Sequence, residues 1–69
     1  MKCIGQRVQI TIEEPVMEVC EEINQATGVI VGKDDWLFPY TVMLDNPRLD
    51  RLVNEVTPRR FAEYELSIQ

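Results

Sequence analysis

Histidine is missing from this chain. The side chain most often used as a general base and neutral metal ligand near pH 7 is therefore not available. Cysteine occurs twice, as Cys3 and Cys20. There is no second cysteine pair, so a tetrahedral zinc site would need carboxylates or a second chain. The two cysteines read instead as reduced thiols buried for structural reasons. Serine occurs once, as Ser67 near the end of the chain, and neither a Gly-x-Ser-x-Gly elbow nor a phosphate-binding glycine loop is present. No apolar run approaches the roughly 20 residues that span a bilayer. The opening Met1–Gln6 has no apolar core or cleavage signature of a leader. These absences point to a cytoplasmic, non-catalytic protein with no cofactor and no metal.

Positive charge is also scarce. Twelve acids against seven bases give a net charge of −5. From Val8 to Gly32 there is no Lys or Arg, while Glu13, Glu14, Glu18, Glu21 and Glu22 all fall there. Phosphate backbones are bound through Lys and Arg with release of counterions, so nucleic acid is an unlikely partner. An RNA-binding barrel of the ribosomal kind would need a basic face, and none is found. The length of 69 residues suits a single domain, 1–69, with a core too small to enclose a deep substrate pocket. The apolar share of 45% is that of a folded protein rather than a disordered one.

The pattern that is present is mostly that of strands. Val8, Ile10 and Ile12 alternate with Arg7, Gln9, Thr11 and Glu13, which predicts a half-buried strand. Pro15 suits the first position of a helix. Val16, Val19, Cys20 and Ile23 then recur at helical spacing, with Gly28 as the stop. Gly28–Lys33 and Tyr40–Leu44 read as the second and third strands, parted by turn chemistry at Asp34-Asp35. Residues 48–57 fit two patterns. Leu49, Leu52, Val53 and Val56 make a helical stripe behind an Asn46-Pro47 cap, whereas 52–57 also fits a short strand stopped by Pro58. We favour a turn followed by a strand, because a small sheet needs one more. A helical turn over Arg59–Tyr64 and a last strand over Glu65–Ile68 complete the chain. The predicted core joins Val8, Ile10, Val29, Val31, Val42, Leu44 and Leu66.

The resulting fold class is mainly β: a small barrel of four to five short strands, with a short helix or helical turn in the long first connection. Gly5-Gln6-Arg7-Val8-Gln9-Ile10, Thr27-Gly28-Val29-Ile30-Val31, Tyr40-Thr41-Val42-Met43-Leu44 and Phe61-Ala62-Glu63-Tyr64-Glu65-Leu66 follow one another as in SH3-like barrels. In particular they resemble photosystem I reaction-centre subunit IV and related small subunits of photosynthetic complexes. The resemblance spans nearly the whole chain. It implies an SH3-like scaffold and a small non-catalytic subunit or binding module. That family is basic where it docks acidic ferredoxin, whereas this chain is acidic.

Four groups of residues are candidates for binding a protein partner. Trp36 lies beside Asp34 and Asp35 in a turn and reads as an exposed anchor. Phe38 and Tyr40 share its alternation and read as core. Glu18, Glu21 and Glu22 suit either an acidic docking face or the solvated side of a short helix. Arg59-Arg60 suits either a carboxylate- or phosphate-binding pair or ordinary surface charge balancing Glu63 and Glu65. The leading expectation is a non-catalytic protein-interaction module, an accessory subunit or regulator of a larger complex. The alternative is a small acidic inhibitor of phage type that mimics nucleic acid or blocks a basic site.

Overall fold

The first strand, β1 (Arg7–Ile10), lies inside the sheet, between β2 (Thr27–Lys33) and β4 (Leu66–Ile68), with β3 (Tyr40–Leu44) outside β2. The computed structural model describes residues 2–13 and 18–69, apart from the side chains of 18 and 19. The predicted helix start at Pro15 and the stripe positions Val16 and Val19 therefore lie outside what is described. All four strands pair antiparallel in the order β3-β2-β1-β4. The domain is mainly β, as its alternating pattern predicts, with a short helix, α1 (Glu18–Ile23), in the first connection.

The sheet does not close into a barrel, because β3 and β4 are its two outer strands and form no ladder with each other. The strand favoured over 52–57 does not form. Residues 47–51 instead form α2 (Pro47–Arg51), which runs on into one π-helical turn, Leu52–Val56. Asn46 caps α2 by accepting from the Arg48 N–H at 3.0 Å, and Pro47 occupies the first turn. Leu49 and Val53, four apart, are both buried. The deciding contacts are tertiary. Asp50 Oδ1 accepts from the Leu44 N–H at 3.0 Å, and Asn54 Nδ2 donates to the Val42 carbonyl at 3.0 Å. Two side chains thus take bonds that a neighbouring strand would have made. Beyond them, Tyr40 and Phe61 exchange main-chain bonds of 3.1 and 2.8 Å in an isolated bridge.

The core is built on Val8, Ile10, Val42, Leu44 and Leu66, as the alternation predicts, together with Ile12, Ile23, Tyr40 and Phe61. Burying a side chain of this size contributes about 1.5–3 kcal/mol. On β2 the predicted face is reversed. Gly28 and Ile30 point inward, Val29 is half-buried and Val31 is exposed. Every residue from 29 to 31 is β-branched, so the sequence pattern carries no face information there. The register then shifts between Ile30 and Gly32: Ile30 opposes Val42 and Gly32 opposes Thr41, which leaves Val31 as the extra residue of a bulge. Gly28 does not end α1. It sits within the strand, where a Cβ would collide with the Met43 carbonyl oxygen. The stop lies earlier, at Gln25, whose φ of +72° is left-handed and whose N–H reaches back to the Ile10 carbonyl at 2.8 Å.

The tail follows its expected order in a shorter form. The helical turn is a 3-10 turn over Glu63–Glu65, followed by β4. Cys3 is exposed, contrary to the expectation of a buried thiol, because the Cys3–Gln6 turn before β1 holds it outside the core. Cys20 is partly buried against the core, and both thiols are free.

Candidate functional site: the groove beside Trp36

The loop between β2 and β3 is closed at its base by the Asp34 N–H donating to the Pro39 carbonyl at 3.0 Å. Inside it, Asp34 Oδ1 accepts from the Trp36 N–H at 2.9 Å, the local side-chain-to-backbone bond typical of aspartate in turns. With its polar backbone engaged in this way, the loop turns its apolar side chains outward. Trp36 is 71% exposed and Leu37 83% exposed. Phe38 is also exposed, which corrects its assignment to the core. Alternation from Tyr40 backwards does not survive Pro39 and the bends of 35–38. Tyr40 itself is buried, and its hydroxyl donates to Glu63 Oε1 at 3.0 Å.

The facing wall comes from the segment after the π-helical turn. Arg59 is fixed there by three contacts. Its N–H donates to the Val53 carbonyl at 2.8 Å. Its guanidinium lies 4.8 Å from the Phe61 ring centre, and Nη2 pairs with Glu65 Oε2 at 2.8 Å. Glu65 is buried, and its other oxygen accepts from the Ala62 N–H at 2.9 Å. Arg59 Nη1 is buried without a hydrogen-bond partner. Arg60 reaches back across the loop to an ion pair with Asp34. Between the walls lies a groove of about 550 Å³, lined by Trp36, Phe38, Thr41, Asn54, Pro58, Arg59 and Arg60. Its volume falls in the range of ordinary ligand clefts. Its charged lining residues are both arginines.

Arg59 also lines a second cavity of about 360 Å³, together with Thr11, Ile12, Glu13, Cys20, Tyr64 and Glu65. The acidic first connection thus begins on the far side of Arg59 from the Trp36 groove.

Of the residues singled out in the sequence, Trp36, Asp34, Arg59 and Arg60 come together here, and Asp35 is exposed next to them. The glutamates do not join them. Glu22 pairs with Arg48 at 2.9 Å and lines a separate cavity with Arg51, Leu52 and Val56. Glu21 is exposed, and the Glu18 side chain lies outside the described residues. Thr41, Asn54 and Pro58 belong to the groove and carry no sequence signal for it, since they come together only when 47–60 folds over β3; Phe38 joins them from the aromatic loop itself.

Six ion pairs engage Lys2, Arg7, Arg48, Arg51, Arg59 and Arg60. Glu13, Glu21, Asp35 and Asp50 have no ion-pair partner among the described residues. Acid without an ion pair thus lies both on the first connection, at Glu13 and Glu21, and beside the groove, at Asp35, while the charged residues that line the groove itself are Arg59 and Arg60. Among the described residues no group of three His, Cys, Asp or Glu side chains is placed to hold a metal ion. No helix of the described residues is long and apolar enough to cross a membrane. Comparison of the chain with protein-family models, with curated proteins and with solved structures returns no match in any of the three.

Proposed function

We propose that this chain is a non-catalytic protein-interaction module that works in the cytoplasm and binds its partner across the groove beside Trp36. The observation that carries this reading is the run Trp36-Leu37-Phe38, held outward by a hydrogen-bonded loop beside a concave surface. Exposed apolar surface of this kind marks interaction sites, and Trp is among the residues enriched as anchors in them. The resemblance to SH3-like subunits of photosynthetic complexes supports a place as a small accessory subunit or regulator of an assembly. It rests on turn glycines and core hydrophobes, which describe a scaffold and not its task.

The second reading, a small acidic inhibitor of a basic site, is favoured by the unneutralised Glu13 and Glu21. Its signature would be binding that weakens steeply with salt and ignores Trp36.

Affinity capture with wild-type protein and a Trp36→Ala variant, side by side, tests the leading reading. Trp36→Ala should weaken the captured complex by on the order of 2 kcal/mol, about thirtyfold, with the melting temperature nearly unchanged. A variant that melts lower but binds as wild type per folded molecule overturns it.

A further inference from the structure

Resting on that reading, we infer that the segment taken by the Trp36 groove is acidic as well as apolar: a Leu- or Phe-like side chain lies against Trp36, Phe38 and Pro58, and a neighbouring Asp or Glu carboxylate of the partner binds Arg60 in exchange for Asp34. The apolar half follows from the walls already described. The acidic half follows from charge. The whole chain carries −5, yet the two charged residues lining this groove are Arg59 and Arg60. Arg60 is held by Asp34 alone, in a pair about half exposed on both sides. Exposed pairs of this kind stabilise a fold little, so exchanging one carboxylate for another costs little. Asp34 also has a second task that survives the exchange, since its Oδ1 anchors the Trp36 N–H. The loop therefore need not unfold when Arg60 turns to a ligand. Arg59 stays in place through Glu65 and Phe61, and its Nη1 has donor capacity that nothing among the described residues uses.

A basic segment would meet Arg59 and Arg60 along the groove, with the exposed Asp35 lying outside its lining. A nucleic-acid strand matches the arginines and the aromatic rings locally, as single-strand binders do. It would, however, carry a phosphate at every nucleotide past Arg59 toward Glu13 and Glu65, in a protein of net negative charge. A protein segment brings one or two carboxylates to the one place that accepts them. Beyond the Debye length of about 8 Å at physiological salt, the repulsion between two acidic proteins is screened and the local match decides.

The experiment is selection from a random decapeptide display library on the wild-type protein, followed by calorimetric titration of the selected peptides against Trp36→Ala, Arg60→Glu and Asp34→Asn. The expected consensus places Asp or Glu within two or three residues of a large apolar side chain. Arg60→Glu should weaken binding tenfold or more. Asp34→Asn keeps an acceptor for the Trp36 N–H while freeing Arg60, and should tighten binding by about threefold, the size of one exposed ion pair. Weaker binding by a folded Asp34→Asn variant overturns the inference. So does a basic consensus that still depends on Trp36, which would leave the interaction module standing. Failure to recover any Trp36-dependent peptide overturns both. Binding of a single-stranded oligonucleotide of ten bases, more tightly than any selected peptide, overturns the acidic-segment assignment in favour of phosphate.

Discussion

The two outer strands of the sheet meet their surroundings in opposite ways. Along β3 the outward main chain is engaged at three successive places: Tyr40 by the Phe61 bridge, the Val42 carbonyl by Asn54 and the Leu44 N–H by Asp50. The strand beneath is buried at Tyr40, Val42 and Leu44. Along β4 the bonds run to β1, with Ile10 opposite Leu66 and Val8 opposite Ile68. Among the described residues nothing forms a ladder on its other side, and two of its three residues are exposed. An open strand edge is a template for unwanted pairing unless it is short or covered. This domain uses both remedies: β3 is covered, and β4 has only three residues. The difference also shows that an edge can be sealed without another strand. Asp50 and Asn54, one helical turn apart, do it with two side chains, which are joined to each other by an Asn54 Nδ2 bond to Asp50 Oδ1 of 2.8 Å.

The sharpest way to break this contrast is at Asn54. Asn54→Ala leaves the Val42 carbonyl without its partner beside a buried strand. Urea unfolding should show a loss of about 1–3 kcal/mol, the usual cost of an unsatisfied buried acceptor. An unchanged midpoint would mean that the π-helical turn merely lies near β3 without supporting it.

A smaller effect is expected from pH at the Tyr40 end of the same edge. Glu63 is held below its ordinary value of 4.5, first by the hydrogen bond from Lys2 and also by that from the Tyr40 hydroxyl. Asp45, at the other end of β3, is held below 3.8 by the hydrogen bond from Arg7 and then that from Thr27. A carboxyl with a lowered folded-state pKa contributes fully above its unfolded value, and the contribution fades as pH falls through the folded one. Melting temperature should therefore drop on acidification from about pH 4.5 downward, and Glu63→Gln should flatten that drop. A Glu63→Gln variant with the same acid slope as wild type would remove Glu63 from the account. Both carboxyls are open to solvent, so the effect is modest and shrinks with salt.

The smallest effect belongs to the bare edge. Ile68 is 57% exposed on β4. Ile68→Thr keeps the β-branched shape and should change stability by no more than about 0.5 kcal/mol. A larger loss would show that β4 is covered by something in solution, such as a second molecule.

How much of this was legible in the sequence varied with the physical cause. Strict alternation over Arg7–Glu13 led directly to β1 and its buried face, because one polar and one apolar row leave a single choice, although the paired strand itself stops at Ile10. The apolar run of β2 offered none, and the bulge at Val31 comes from pairing with β3, which no local pattern encodes. Residues 48–57 carried helical and strand patterns together. The Asn46-Pro47 cap favoured the helix locally, but the weight came from hydrogen bonds to a strand several residues earlier. At the groove, Trp36 beside two aspartates stood out as an exposed turn residue. Its tie to Arg60 through Asp34 crosses the loop, β3 and both helical turns, and adjacency in sequence cannot show it.

The exposure of Trp36 has a spectroscopic consequence. It is the only tryptophan in the chain, and in the folded state its ring is already 71% open to solvent. Unfolding therefore moves it between two wet surroundings, and its emission should hardly change across the denaturation curve. An apolar side chain laid over the ring would instead take it out of water, with a blue shift on binding. Tyr40, 1% exposed, has the opposite character: its near-ultraviolet dichroism should vanish on unfolding and stay constant when the groove fills. The two chromophores separate the two processes in one cuvette, tryptophan for occupancy and tyrosine for the fold.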